Sequence, residues 1–171
     1  MTSITTLRPA PALPLALAGV LTWFSALTLP PATALAQEEV VAASDPSTPR
    51  GAMRSYLVSA RAADFAAAAE QLDLRAIPPE RREQAGATLA RELKLALDRA
   101  LWVDLDSLSE EPEGDRDDDL PARFERVGSI TLPDGPVDVL LERVPDAEGG
   151  RRWKIARRTV TEIPRLAETL G

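Results

Sequence analysis

The sequence predicts an α+β fold over most of its 171 residues: N-terminal helices (two short, one long), then a three-stranded antiparallel meander and a short C-terminal helix. Apolar residues recur at helical spacing from Met53 to Leu101. After residue 121 the pattern changes to short apolar-rich runs, and two turn-forming clusters, 133–136 and 146–150, punctuate them.

Taken in order, Thr48-Pro49 is a helix start, with Thr48 as the cap and Pro49 in the first turn. Met53, Tyr56, Leu57 and Ala60 follow on one face. Asp64 is placed to cap a second short helix carrying Phe65, Ala68, Ala69 and Leu72. Ile77-Pro78-Pro79 breaks the chain. A long helix is expected from Glu80 to Trp102, with Leu89, Leu93, Leu97 and Leu101 one turn apart, and Trp102 and this leucine row are expected in the core. At 1.5 Å per residue it would run about 35 Å.

Residues 104–121 have no sustained period and read as a loop. Two strands, Phe124 to Leu132 and Val137 to Val144, flank Pro133-Asp134-Gly135-Pro136, in which proline presets one φ and glycine supplies a positive one. A third strand runs from Arg151 to Arg157, and Phe124 and Trp153 are expected to fasten the sheet to the long helix. Thr159 and Glu162 have capping-box spacing, which would open a closing helix that Pro164 should kink or restart.

Three regions follow from this reading: 1–36 as a signal peptide, 37–48 as a polar, disordered leader, and 49–171 as a single α+β periplasmic domain. The apolar run Leu13–Leu29 ends at Pro30-Pro31 and then Ala34-Leu35-Ala36, so cleavage is expected after Ala36 and the chain is expected to be exported.

The formal charge is −7, and residues 104–119 carry nine acids and one base. The acidity is therefore one local feature, and it argues against a nucleic-acid partner. Histidine and cysteine are absent. Without them there is no Ser-His or Cys-His nucleophile pair and no disulfide, and no glycine-rich phosphate loop is present. Carboxylate chemistry is what survives, but a flexible acidic loop fixes no separation between two carboxylates. The expectation is a non-enzymatic domain with no catalytic, cofactor-binding or metal-ligating residues.

Two clusters compete with that reading. Asp104, Asp106, Asp115, Asp117, Asp118 and Asp119 offer hard oxygen ligands of the kind Ca²⁺ takes, but their spacing fits no EF-hand loop and a solvated charge run is favoured. Arg151, Arg152, Lys154, Arg157 and Arg158 surround Trp153. They read as a charge-guarded strand edge or as a weak contact for anionic lipid headgroups. The Ala-rich helical pair at 50–72 also resembles a lone tetratricopeptide-like unit or the opening helices of a cone-shaped, nuclear-transport-factor-like domain.

Four stretches carry a wider resemblance: TPRGAMRSYLVSARAADFAAAAEQLDL, LWVDLDSLSEEPEGDRDDDLP with ERVGSI, VDVLLERVP, and WKIARRTVTEIPRL. Together they resemble the soluble region that precedes the membrane helices in a subset of bacterial small-conductance (MscS-type) mechanosensitive channels. The resemblance covers about Ser47 to Gly171 and is most specific from Leu101 to Gly128. Two positions depart from it: Asp119 stands where glycine is expected, and Ala167 where an aromatic residue is expected. It implies a domain on the periplasmic face of the bacterial inner membrane. Its partners would be the membrane-spanning part of its own full-length chain or other channel subunits. The resemblance places no pore residue within 47–171. The alternative is a free-standing periplasmic binding or protein-interaction module.

Overall fold

The computed structural model describes residues 45–147 and 149–171. The expected signal peptide, its expected cleavage site and most of the expected leader fall outside the described residues. Helix α1 spans Pro49–Arg61, α2 Phe65–Ala69, α3 Arg82–Ala100 and α4 Arg157–Leu170. Strands β1 (Phe124–Leu132), β2 (Gly135–Pro145) and β3 (Arg151–Ile155) form one antiparallel sheet in the order β1-β2-β3. The α+β class and the meander are as the sequence predicts.

Both amino-terminal caps act as read. Thr48 Oγ1 accepts from the Gly51 amide at 3.1 Å, and Asp64 Oδ1 from the Ala67 amide at 3.0 Å. The leader boundary moves, however. Asp45 accepts hydrogen bonds from the Ser47 amide and hydroxyl, and the Pro46 carbonyl accepts from the Trp153 amide at 2.8 Å. Residues 45–48 are therefore built into the domain.

The long helix is shorter than expected. A 3₁₀ turn, Pro79–Arg81, precedes α3, and the chain leaves the helix at Leu101 in extended conformation. Leu101, Val103 and Leu105 then pack against the core as the extended segment alternates. Trp102, between two inward residues, is turned out and is 91% exposed, which corrects its expected place in the core.

One face of the sheet meets α1, α3 and α4. Ile130, Leu132, Val137, Val139, Leu141, Trp153 and Ile155 pack there with Met53, Tyr56, Leu93, Ile163 and Leu166. The buried Tyr56 hydroxyl donates to the Ala90 carbonyl at 2.8 Å, tying α1 to α3. The register slips between Arg126 and Gly128, leaving Val127 as a bulge. The slip changes the phase of the pleat. Glu125 and Val127 before it, and Ile130 and Leu132 after it, thereby share the helix-facing side.

Trp153 is fully buried on that face, as the sequence implies. Phe124 is not there. It lies in a separate small cluster with Leu140, Ala156 and Leu120, and Arg158 and Arg123 stack over its ring at 4.0 and 4.9 Å. Its phase on β1, set ahead of the bulge, puts it on the opposite face from the long helix.

The closing helix also differs. It begins at Arg157 with Ala156 at the cap and no side-chain cap bond. Thr159 is buried inside the first turn, where its Oγ1 accepts from the Leu140 amide at 2.9 Å, so it fastens α4 to β2 instead of capping the helix. The helix runs through Pro164 without restarting.

Candidate functional site

The acidic segment is where sequence and structure part most. Residues 105–107 form a 3₁₀ turn, and Leu108 is fully buried in the main core. Arg50 reaches from α1 to this segment. Its Nε donates to the Leu108 carbonyl at 2.9 Å, one terminal nitrogen to the Asp106 carbonyl at 2.9 Å, and the other to Glu110 at 2.7 Å. Glu125, buried on β1, accepts from the Ser109 amide through Oε1 at 2.7 Å and from the Asp115 amide through Oε2 at 3.0 Å. Trp153 Nε1 donates to the Pro112 carbonyl at 3.0 Å. The loop is thus strapped to the fold from three directions, and most of its charged side chains face solvent.

Gly114 and Gly128 make this strapping possible. Gly114 has φ +76°, and a Cβ there would stand 2.7 Å from the Trp153 ring. At Gly128 a Cβ would stand 2.6 Å from Leu101. Burial is the main influence on Glu125. It pushes the carboxyl above its ordinary value, against the two backbone amides that favour the charged form, while Asp115 and Asp118 push the same way as burial.

The calcium candidates do not converge. Asp104 Oδ1 accepts from the Asp106 amide, Asp115 Oδ1 from the Asp117 amide and Asp118 Oδ1 from the Leu120 amide, each an Asx turn two residues long. Among the described residues no three acidic side chains are gathered as a metal would require. Asp119 sits at φ 59°, in the left-handed region that favours glycine.

The basic stretch is divided by the pleat. Trp153 points into the core, while Arg152 and Lys154 lie half-buried on the other side of β3. The outer edge of β3 is occupied by the chain itself. The Trp153 amide donates to Pro46, the Ile155 amide to the Gln71 carbonyl at 2.7 Å, and the Asp73 amide returns to the Ile155 carbonyl at 2.9 Å. No strand edge is left there for charge to guard.

Beside that edge, Leu72–Arg75, α2 and the end of β2 enclose a groove of about 370 Å³. Its apolar floor includes Ala69, Leu72 and Val144, and Lys154 lines one side. Asp73, with a side chain 1% exposed, is held by Arg75 through two hydrogen bonds of 2.8 and 2.7 Å. Burial would raise the Asp73 carboxyl, but the Arg75 hydrogen bonds and charge outweigh it and hold the group below its ordinary value. Lys154 is pushed down, by burial first and by Arg152 second. It has no hydrogen-bond or ion-pair partner among the described residues.

The groove therefore offers an ammonium without a direct hydrogen-bond partner among the described residues over an apolar floor, with Glu70 and Glu83 at its rim and its best-buried carboxylate already committed to Arg75. The apolar floor and the ammonium are features that suit holding a small ligand with an apolar body and a polar end. Sequence reasoning missed it because Asp73 and Lys154 are 81 positions apart in the chain, and only the Leu72–Ile155 bridge brings them together. Comparison with protein-family models, curated proteins and solved structures found no match.

Proposed function

We propose that this chain is the extracytoplasmic, non-catalytic domain of a small-conductance mechanosensitive channel protein, delivered by a signal peptide to the periplasmic face of the inner membrane. The observation that carries this reading is the resemblance of its four sequence blocks, taken with the way they meet in space. Leu101 of the second block lies against Gly128 of ERVGSI. Glu125 holds Ser109 and Asp115, Trp153 of the last block holds Pro112, and Arg50 of the first holds Leu108. Residues that carry the resemblance are thus the ones that strap the loop. The position where the resemblance expects glycine, Asp119, has a backbone conformation that favours glycine, which also supports the reading.

No helix among the described residues is long and apolar enough to cross a membrane. On this reading, tension-gated current comes from spans joined to this domain. Residues 37–171 reconstituted in liposomes should be silent under suction, whereas the domain fused ahead of the spans of a full-length relative should give a tension-gated current. Channel openings from residues 37–171 alone, or a fusion in which the domain folds but the spans are not gated by tension, would refute it. The groove beside Lys154 favours a second reading, a free-standing periplasmic binding module.

A further inference from the structure

Among the described residues two large apolar side chains are exposed: Leu95, 39% exposed, and Trp102, 91% exposed. Arg91, Leu95 and Asp98 form one stripe by their spacing on α3, and Trp102, just past the helix end, borders a depression that Asp98 also lines. Across from this stripe lie Arg61, in the last turn of α1, and the half-buried Phe65 of α2. Leu57, Arg61, Arg99 and Trp102 border one shallow depression, while Phe65, Arg91, Leu95 and Asp98 border the next. Asp98 borders both, so the patch is continuous.

The exposure of Trp102 is fixed by the fold. Its neighbours Leu101 and Val103 both pack against the core, so the indole cannot turn inward without pulling one of them out. An aromatic residue held outward in this way marks a contact surface more than an ordinary solvent-facing position does.

The charges around it are selective. Arg61, Arg91 and Arg99 make no ion pair among the described residues, and Lys94 binds Asp98, leaving Glu92 as the one uncommitted acid on the patch. The acidic segment begins two residues past Trp102 at Asp104, whose Oδ1 accepts from the Asp106 amide. Its part bound by Arg50 (Asp106, Leu108 and Glu110) lies at the first turn of α1, eleven residues or about 16 Å along the helix from Arg61. The exposed indole thus shares its face with three arginines that make no ion pair among the described residues and one uncommitted acid.

We infer that the Trp102 face docks on the surface of a bilayer containing anionic phospholipid. Indole and aliphatic side chains suit the headgroup boundary, and arginine stems can lie along the apolar layer while their guanidiniums meet phosphate. A headgroup layer accepts a shallow patch without matched relief. A protein partner of ordinary size needs about 800 Å² of complementary surface on each side. The inference stands on this patch and holds for either reading of the domain's function. It also moves the lipid contact from the basic stretch of 151–158, whose tryptophan is buried, to the Trp102 face.

The test uses residues 37–171, whose described part closes its own core. Trp153 is fully buried, so a vesicle-induced change in emission reports on Trp102. Vesicles of phosphatidylcholine with phosphatidylglycerol should shift the emission to the blue and sediment the protein; phosphatidylcholine alone should do neither. Trp102→Ala should lose the shift and weaken sedimentation while its circular dichroism stays unchanged. Arg61→Gln and Arg99→Gln should each weaken binding about fivefold. Arg151→Gln should bind as wild type does. Sedimentation of Trp102→Ala equal to wild type, or no dependence on phosphatidylglycerol, would overturn the inference. So would a blue shift that grows with protein concentration without vesicles, which would assign the face to a second copy of the chain.

Discussion

Replacing Gly114 by alanine tests whether the acidic loop is part of the fold or a solvated appendage. The residue lies among nine acids, where a free loop would tolerate a methyl group at no cost. In the structure its φ is +76°, and the added Cβ would stand 2.7 and 2.8 Å from two Trp153 ring carbons and 3.1 Å from Glu125 Oε2. The ring cannot easily yield, being fully buried with its Nε1 bonded to Pro112. The left-handed backbone costs an alanine roughly 1–2 kcal/mol. Forcing a methyl into a packed site adds about 1–3 kcal/mol. Gly114→Ala should therefore lose about 2–5 kcal/mol, a large share of the stability of an ordinary domain. Urea denaturation followed by circular dichroism measures this against Gly150→Ala, whose Cβ meets nothing within 4 Å and which should stay within about 0.5 kcal/mol of wild type. Should the loop shift in place of the core, amide exchange at Ser109 and Asp115 would rise, because Glu125 could no longer hold both. A Gly114→Ala protein with unchanged stability and unchanged exchange would refute the reasoning.

Three further outcomes are expected. The Asp73 carboxyl is held below its ordinary value of 3.8, so its pairing with Arg75 contributes stability above about pH 3.8 that is lost as the pH falls through the lower folded value; Asp73→Asn should flatten that acid limb in denaturation measured against pH. Glu125 is raised above 4.5, so stability should increase as the pH falls through its folded value toward 4.5, and Glu125→Gln should remove that rise. Calorimetry with millimolar Ca²⁺ should give little heat and little thermal stabilisation, because Asp104, Asp115 and Asp118 are turned to local backbone amides and no three acids are gathered among the described residues; micromolar affinity would contradict this.

Local chemistry by itself determined the elements of this chain and much of their order. Thr48 and Asp64 cap because a side-chain oxygen needs only an amide two or three residues on. Pro133–Pro136 turns because its backbone preferences act within four residues. The Met53–Ala60 face and the meander are legible for the same reason: periodicity is a property of neighbours. What the sequence could not determine depended on residues far apart in the chain. Thr159 and Glu162 have the spacing of a capping box, but a buried amide on β2 claims the threonine hydroxyl. Phe124 and Trp102 look like core residues by composition; strand phase before the bulge sends one to the far face, and the inward packing of Leu101 and Val103 sends the other into solvent. The acidic segment reads as a free loop because nothing within it is periodic. Its order comes from outside, from Arg50, Glu125 and Trp153, and likewise the groove by Lys154 exists only where Leu72 closes the edge of β3. Tertiary structure decided these features because a hydrogen bond or a packed ring depends on distance in space, which separation along the chain does not reveal.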